Sequence, residues 1–154
     1  MTQSKTRERF WRYGPLLLWM AVIWIASTRE FSALNTSKIL RPLILWVFPN
    51  LSEPRVATIH FIIRKLAHFS EYAVMGLLAA RAFSNSAKSF LKQHWLWASL
   101  LLILAYALLD EFHQSFVLTR TASIYDSAID VAGGLTALFV FRWLQWRSVR
   151  ASEP

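Results

Sequence analysis

The sequence predicts an all-α integral membrane bundle: four transmembrane helices, with a short interfacial or re-entrant amphipathic helix between the first and second. Three observations point there. The 154 residues are 55% hydrophobic with a mean hydropathy of +0.34. Only 17% are charged, where a soluble domain carries about 25%. The net charge is nevertheless +8, a combination expected of apolar spans joined by basic loops. A nucleic-acid binder would instead set a basic face on a soluble core. Cysteine is absent, which excludes disulfides, thiolate metal sites and a Cys nucleophile. The length allows a single domain, residues 1–154, with a core at about 13–146 and tails at 1–11 and 148–154.

A spanning helix needs about 20 mostly apolar residues. The first candidate runs from about Tyr13 to Thr28, between Arg12 and Arg29. Its basic lead (Lys5, Arg7, Arg9, Arg12) resembles a signal peptide, but no small-x-small cleavage site follows, so a retained helix is expected. Between spans one and two, Leu40, Leu43, Ile44 and Val47 repeat at helical spacing before Pro49. That block is too short to span, and Pro42 is expected near its first turn. Ser52-Glu53-Pro54 then marks the start of a long helix whose span is Ile59 to about Phe83.

The third span covers Trp95 to Phe116 and the fourth Ser123 to Trp146. Only a short turn separates them, so they form an antiparallel hairpin. Ser123 and Asp126 resemble a capping box at its second helix. Trp11, Trp95, Trp97, Trp143 and Trp146 fall at span ends, the place for interfacial Trp. With four spans, ten basic residues lie on the side of the termini and seven on the other. This bias puts both termini in the cytoplasm and the chain in the cytoplasmic membrane.

Polar residues inside the spans are the functional clue. His60, Arg64, His68 and Tyr72, with Glu71, form one stripe of span two. Tyr106, Asp110, His113 and Gln114 share a face of span three, with Glu111 at its edge. Asp126, Asp130, Gly133, Gly134 and Ala137 share a face of span four. At about 1.5 Å per residue, His68, Glu71, Asp110, Glu111, His113 and Asp130 reach one level in the outer half of the bilayer. Each charge facing lipid there costs roughly 2.5–3.5 kcal/mol, so these faces are expected to meet in a polar cleft. Plainer roles compete. Arg64, Lys65 and Arg120 can snorkel, Asp126 can cap its helix, and Gly133 and Gly134 fit close packing.

The string RKLAHFSEY at 64–72, DEFHQSF at 110–116, then Arg120, Asp126, Asp130 and Gly133, resembles the VanZ-like membrane proteins. The likeness covers about residues 13–142. That family is associated with resistance to the glycopeptide teicoplanin and has a Pro-Gly-Arg turn where this chain has Leu118-Thr119-Arg120. The resemblance implies a multi-pass protein acting on the cell envelope, without naming a substrate.

Two kinds of mechanism fit these residues. In the first, an enzyme acts at the outer leaflet on an envelope lipid or lipid-linked glycan. Glu111 or Asp110 serves as general acid/base, His113 and His68 as partners, and Glu71 completes the carboxylate–His set. Arg64, Lys65 and Arg120 hold an anionic head group, with Tyr72, Gln114, Asp126 and Asp130 lining the binding site. No cofactor is expected. A divalent metal is a variant, since His68, Glu71, Glu111, His113 and Asp130 suit Zn, Mn or Fe. In the second, the protein is a lipid- or antibiotic-binding module or a scaffold; a proton-coupled carrier is a further alternative. Gly-x-Ser-x-Gly, a Gly-rich phosphate loop and His-Glu-x-x-His are all absent. Expected partners are the bilayer and a lipid-linked substrate, not nucleic acid.

Overall fold

The computed structural model describes residues 2–28, 32–117 and 124–151. It contains six helices, and no strand among the described residues: α1 (Thr2–Ala26), α2 (Ala33–Val47), α3 (Glu53–Ser84), α4 (Ser89–Gln93), α5 (Trp95–Ser115) and α6 (Ile124–Ala151). Two of them, α5 and α6, are long and apolar enough to cross a membrane. The other two long helices, of 25 and 32 residues, measure about 37 and 48 Å, but charge interrupts them.

The long helices stand side by side and alternate in direction. Along α1, Tyr13 bonds Ser86 and Trp19 donates to the Glu71 carbonyl, so α1 runs against α3. Tyr106 donates to the Met20 carbonyl and Trp24 stacks on His113, so α1 runs with α5. A Cβ on Gly133 would meet Phe69 and one on Gly76 would meet Gly134, so α3 and α6 run together. Ile103 meets Gly134 while Asp110 meets Asp130, which makes α5 and α6 the expected antiparallel hairpin. Its turn, with Leu118, Thr119, Arg120 and Ser123, lies outside the described residues.

Glycine brings α3 and α6 together. A methyl on Gly133 would sit 2.1 Å from the Phe69 carbonyl oxygen, and one on Gly76 2.8 Å from that of Gly134. The helices touch backbone to backbone, as small residues allow between membrane helices. Ala79, Ala80 and Ala82 continue this small face of α3, and Ile23, Tyr72, Met75, Ile103, Tyr106 and Leu138 fill the core around it.

Two boundaries differ from expectation. Helix α1 begins at Thr2, ahead of the apolar run, because its Lys, Arg and Glu residues are themselves good helix formers. Pro15 lies inside α1 and removes the amide that would bond the Trp11 carbonyl. Arg81 Nη1 supplies a replacement donor to that oxygen at 3.3 Å. Helix α2 begins at Ala33, seven residues before the periodic block, so Pro42 lies in its interior rather than its first turn. The polar opening of α2 hides the helix from hydrophobic periodicity, although the Ser32 carbonyl already accepts from Asn35 and Thr36. By contrast, Ser52, Glu53 and Pro54 start α3 as expected, with Ser52 at the cap.

The surface is apolar and much of the interior is polar. Leu17, Leu18, Phe61, Leu66, Leu101, Leu108, Phe112 and Phe139 are exposed. Asp110, Glu111, Gln114, Ser127 and Asp130 are buried. Such an inversion fits a bundle whose solvent is lipid.

Candidate functional site

One residue from each of three helices forms the centre. His68 of α3, Asp110 of α5 and Asp130 of α6 each offer a ligand-type atom, all within 4.8 Å of one another. His68 Nδ1 stands 3.5 Å from Asp130 Oδ1. Asp130 is fully buried and Asp110 is 1% exposed. Their meeting follows from the packing beneath them. Gly133 lies three residues beyond Asp130 and fixes the α3–α6 spacing against Phe69, the neighbour of His68.

Around the centre the polar groups are unevenly satisfied. Gln114 Nε2 donates to Asp110 Oδ2 at 3.0 Å across one turn of α5. Among the described residues, Asp110 Oδ1, both oxygens of Asp130 and the Tyr72 hydroxyl are buried without a hydrogen-bond partner. Tyr72 lies one turn below His68 on α3, within electrostatic range of both carboxylates. Buried polar groups are nearly always bonded, so four such atoms together set this place apart from the rest of the core.

One turn above, Lys65 pairs with Asp126, with both side chains about four-fifths buried. Arg64 lies beside this pair, within electrostatic range of Asp126, and its Nη1 is buried without a hydrogen-bond partner among the described residues. Lys65 and Asp126 therefore offset each other, and Asp126 acts on Arg64 as well. Arg120 lies outside the described residues.

The other candidates take separate places. His113 stacks flat on Trp24, with ring centroids 4.0 Å apart and planes 4° apart, which ties α5 to α1. Glu111 is buried, while Glu71 is half-buried and lends its backbone carbonyl to Trp19. None of the three joins the His68–Asp110–Asp130 group. His60 bonds Thr36 of α2 at 3.2 Å, so it docks the short helix. Two residues were not singled out from sequence: Trp24, the partner of His113, and Ser127, whose buried Oγ lacks a partner among the described residues. Ser127 carries a detectable signal, since it precedes Asp130 by three and so shares its face.

Fold and site together define a class: a helical chain with helices long and apolar enough to cross a membrane, whose acids and histidine face one another. The chain matches the family described as VanZ/LLP1 over residues 13–145, a range that includes every residue of the centre, and it belongs to that family. It is a VanZ-like membrane protein. No curated protein and no solved structure gives a match.

Proposed function

We propose that this protein is a cytoplasmic-membrane enzyme with four spans and both termini inside, acting at the outer leaflet on an anionic envelope lipid or lipid-linked glycan. The observation that carries this reading is the buried His68–Asp110–Asp130 centre with unsatisfied carboxylate oxygens. A scaffold gains from polar groups only when each is paired, because a buried charge without a partner destabilises. A site for a polar substrate keeps such groups open until the substrate arrives.

The orientation rests on charge. The α1 start, the α3 end and the α6 end share one end of the bundle. There Arg7, Arg12 and Arg81 line a cavity of about 580 Å³, and Arg147 and Arg150 lie over Trp143 and Trp146. A basic, Trp-flanked end is expected to face the cytoplasm. His68 lies about 24 Å along α3 from that end and Asp110 about 22 Å along α5, which is the outer half of a roughly 30 Å core.

In this reading Arg64, joined by Arg120, holds the anionic head group by charge-assisted hydrogen bonds. The three-helix centre then lies below it, at the depth of the linkage between head group and lipid. Gln114 holds Asp110 in place for that task. The test compares envelope lipids and lipid-linked precursors of a deletion strain with strains restored by the wild type or by Asp130→Asn at equal membrane levels. Asp130→Asn should share the deletion profile, and full restoration by this variant contradicts the proposal. A contribution to teicoplanin resistance is a further part of the reading, and its measurement is a fall in the tolerated teicoplanin concentration in both the deletion and the variant strain.

A further inference from the structure

The centre brings two carboxyl groups and one imidazole together in a low-dielectric interior, where like charges repel and a lone anion is costly. Lys65, one turn above, is committed to Asp126.

From this geometry we infer that His68, Asp110 and Asp130 form a binding site for one divalent transition-metal ion. The inference deepens the proposed function, whose site it shares, but ion binding can be measured without any activity. Three features support it. First, His68 Nδ1 and Asp130 Oδ1 are 3.5 Å apart, close to the roughly 3.4 Å between neighbouring ligands of a tetrahedral ion with bonds near 2.1 Å. Second, the unsatisfied atoms are the ligand-type ones. Asp110 Oδ2 is held by Gln114 while Oδ1 has no hydrogen-bond partner among the described residues, and both oxygens of fully buried Asp130 lack one too. A ligand carboxylate oriented by an outer amide is the usual supporting arrangement of metal sites. Third, one donor comes from each of three facing helices, as in metal sites of other helical bundles.

The donor set selects the ion class. One imidazole with two carboxylates suits Zn, Mn or Fe, whereas Mg and Ca prefer oxygen alone. Three protein ligands leave coordination positions open, as in catalytic rather than structural sites. The sequence pointed to a different set that included Glu71, Glu111 and His113. The structure places Asp110 in the group and His113 on Trp24.

The test uses the full chain purified in detergent and stripped by chelator. Mn²⁺ is titrated in, followed by electron paramagnetic resonance and thermal unfolding, with Zn²⁺ as competitor. The wild type should take up one Mn²⁺ per chain, lose it to Zn²⁺ and unfold at a higher temperature when loaded. Asp130→Asn and His68→Gln should lose saturable uptake and the thermal gain. Gln114→Ala should weaken uptake by about ten- to a hundredfold. Asp130→Asn keeps the side-chain shape and removes a buried charge, so it should fold; should it not, His68→Gln decides. No saturable uptake by the wild type, or equal uptake by wild type and variants, overturns the site. Altered lipids in Asp130→Asn without ion uptake by the wild type overturn the metal site and leave the proposed function standing. Ion uptake with unaltered lipids upholds the metal site and removes the proposed function.

Discussion

Asp130 is the side chain on which the proposed centre depends most. It is fully buried, lies near one imidazole and has no hydrogen-bond partner among the described residues for either oxygen. Removing its charge without changing its shape relieves repulsion with Asp110. In chelator-treated protein, Asp130→Asn should therefore unfold at the wild-type temperature or above it, as a differential scanning measurement can read. A marked loss of stability would mean that the carboxylate is needed for packing. The residue scale also limits what the sequence reveals. Spacing by three and four brought His68, Asp110, Gln114 and Asp130 to the right faces. It could not choose between Asp110 and Glu111 as the member nearest the centre. Adjacent residues on a helix point about 100° apart, and only the position of α6 makes the choice. Nor did spacing show that His113 stacks on a Trp from the first helix. That contact joins residues 89 apart in the chain and leaves no periodic trace.

Among the elements, the α3–α6 pair sets the distances on which the site depends. A methyl on Gly133 would overlap the Phe69 backbone, and a helix backbone cannot yield as a flexible side chain does. Gly133→Ala should destabilise the bundle by about 1–3 kcal/mol or more and disturb the centre one turn away. The control is Gly14→Ala, where the nearest atoms belong to Phe10 at 3.7 Å, an ordinary contact. That change should be neutral or stabilising, by up to about 1 kcal/mol, since Ala favours helix over Gly. Equal losses in both variants, read by unfolding in detergent, would contradict this packing. Helix α2 behaves differently. It is held to α3 by Thr36–His60 and by the exposed Arg41–Glu53 pair, while Ile39, Leu43, Trp46 and Val47 face outward. The Arg41 guanidinium holds the Glu53 carboxyl below the usual carboxylate range. The sign follows directly: the pair contributes above the ordinary carboxylate pKa and is lost as pH falls through the lowered value. Hydrogen exchange in α2 should therefore quicken on acidification. Glu53→Gln should exchange faster at neutral pH and lose most of that response. The start of α3 was legible from Ser-Glu-Pro, but the start of α2 was not, because polar residues open it and tertiary contacts hold it.

At the scale of the whole molecule, the apolar outside and polar inside fit a lipid surround. Hydropathy alone brings out α5 and α6. In α1 and α3 the charges that form the basic end and the polar cluster dilute the hydropathy signal, so these two helices do not stand out as α5 and α6 do. What ties the four together is the alternating direction of the long helices, read from contacts between them. The proposed topology is a four-span bundle with its basic end inside and the His68–Asp110–Asp130 centre toward the outside. The native chain has no cysteine, so single cysteines can be introduced without a background. The most direct measurement is labelling of Lys88→Cys and Asn50→Cys in intact cells by a membrane-impermeant maleimide. This topology predicts rapid labelling at position 50 and labelling at position 88 only after the membrane is opened. Labelling of both positions from outside, or of position 88 alone, would contradict it.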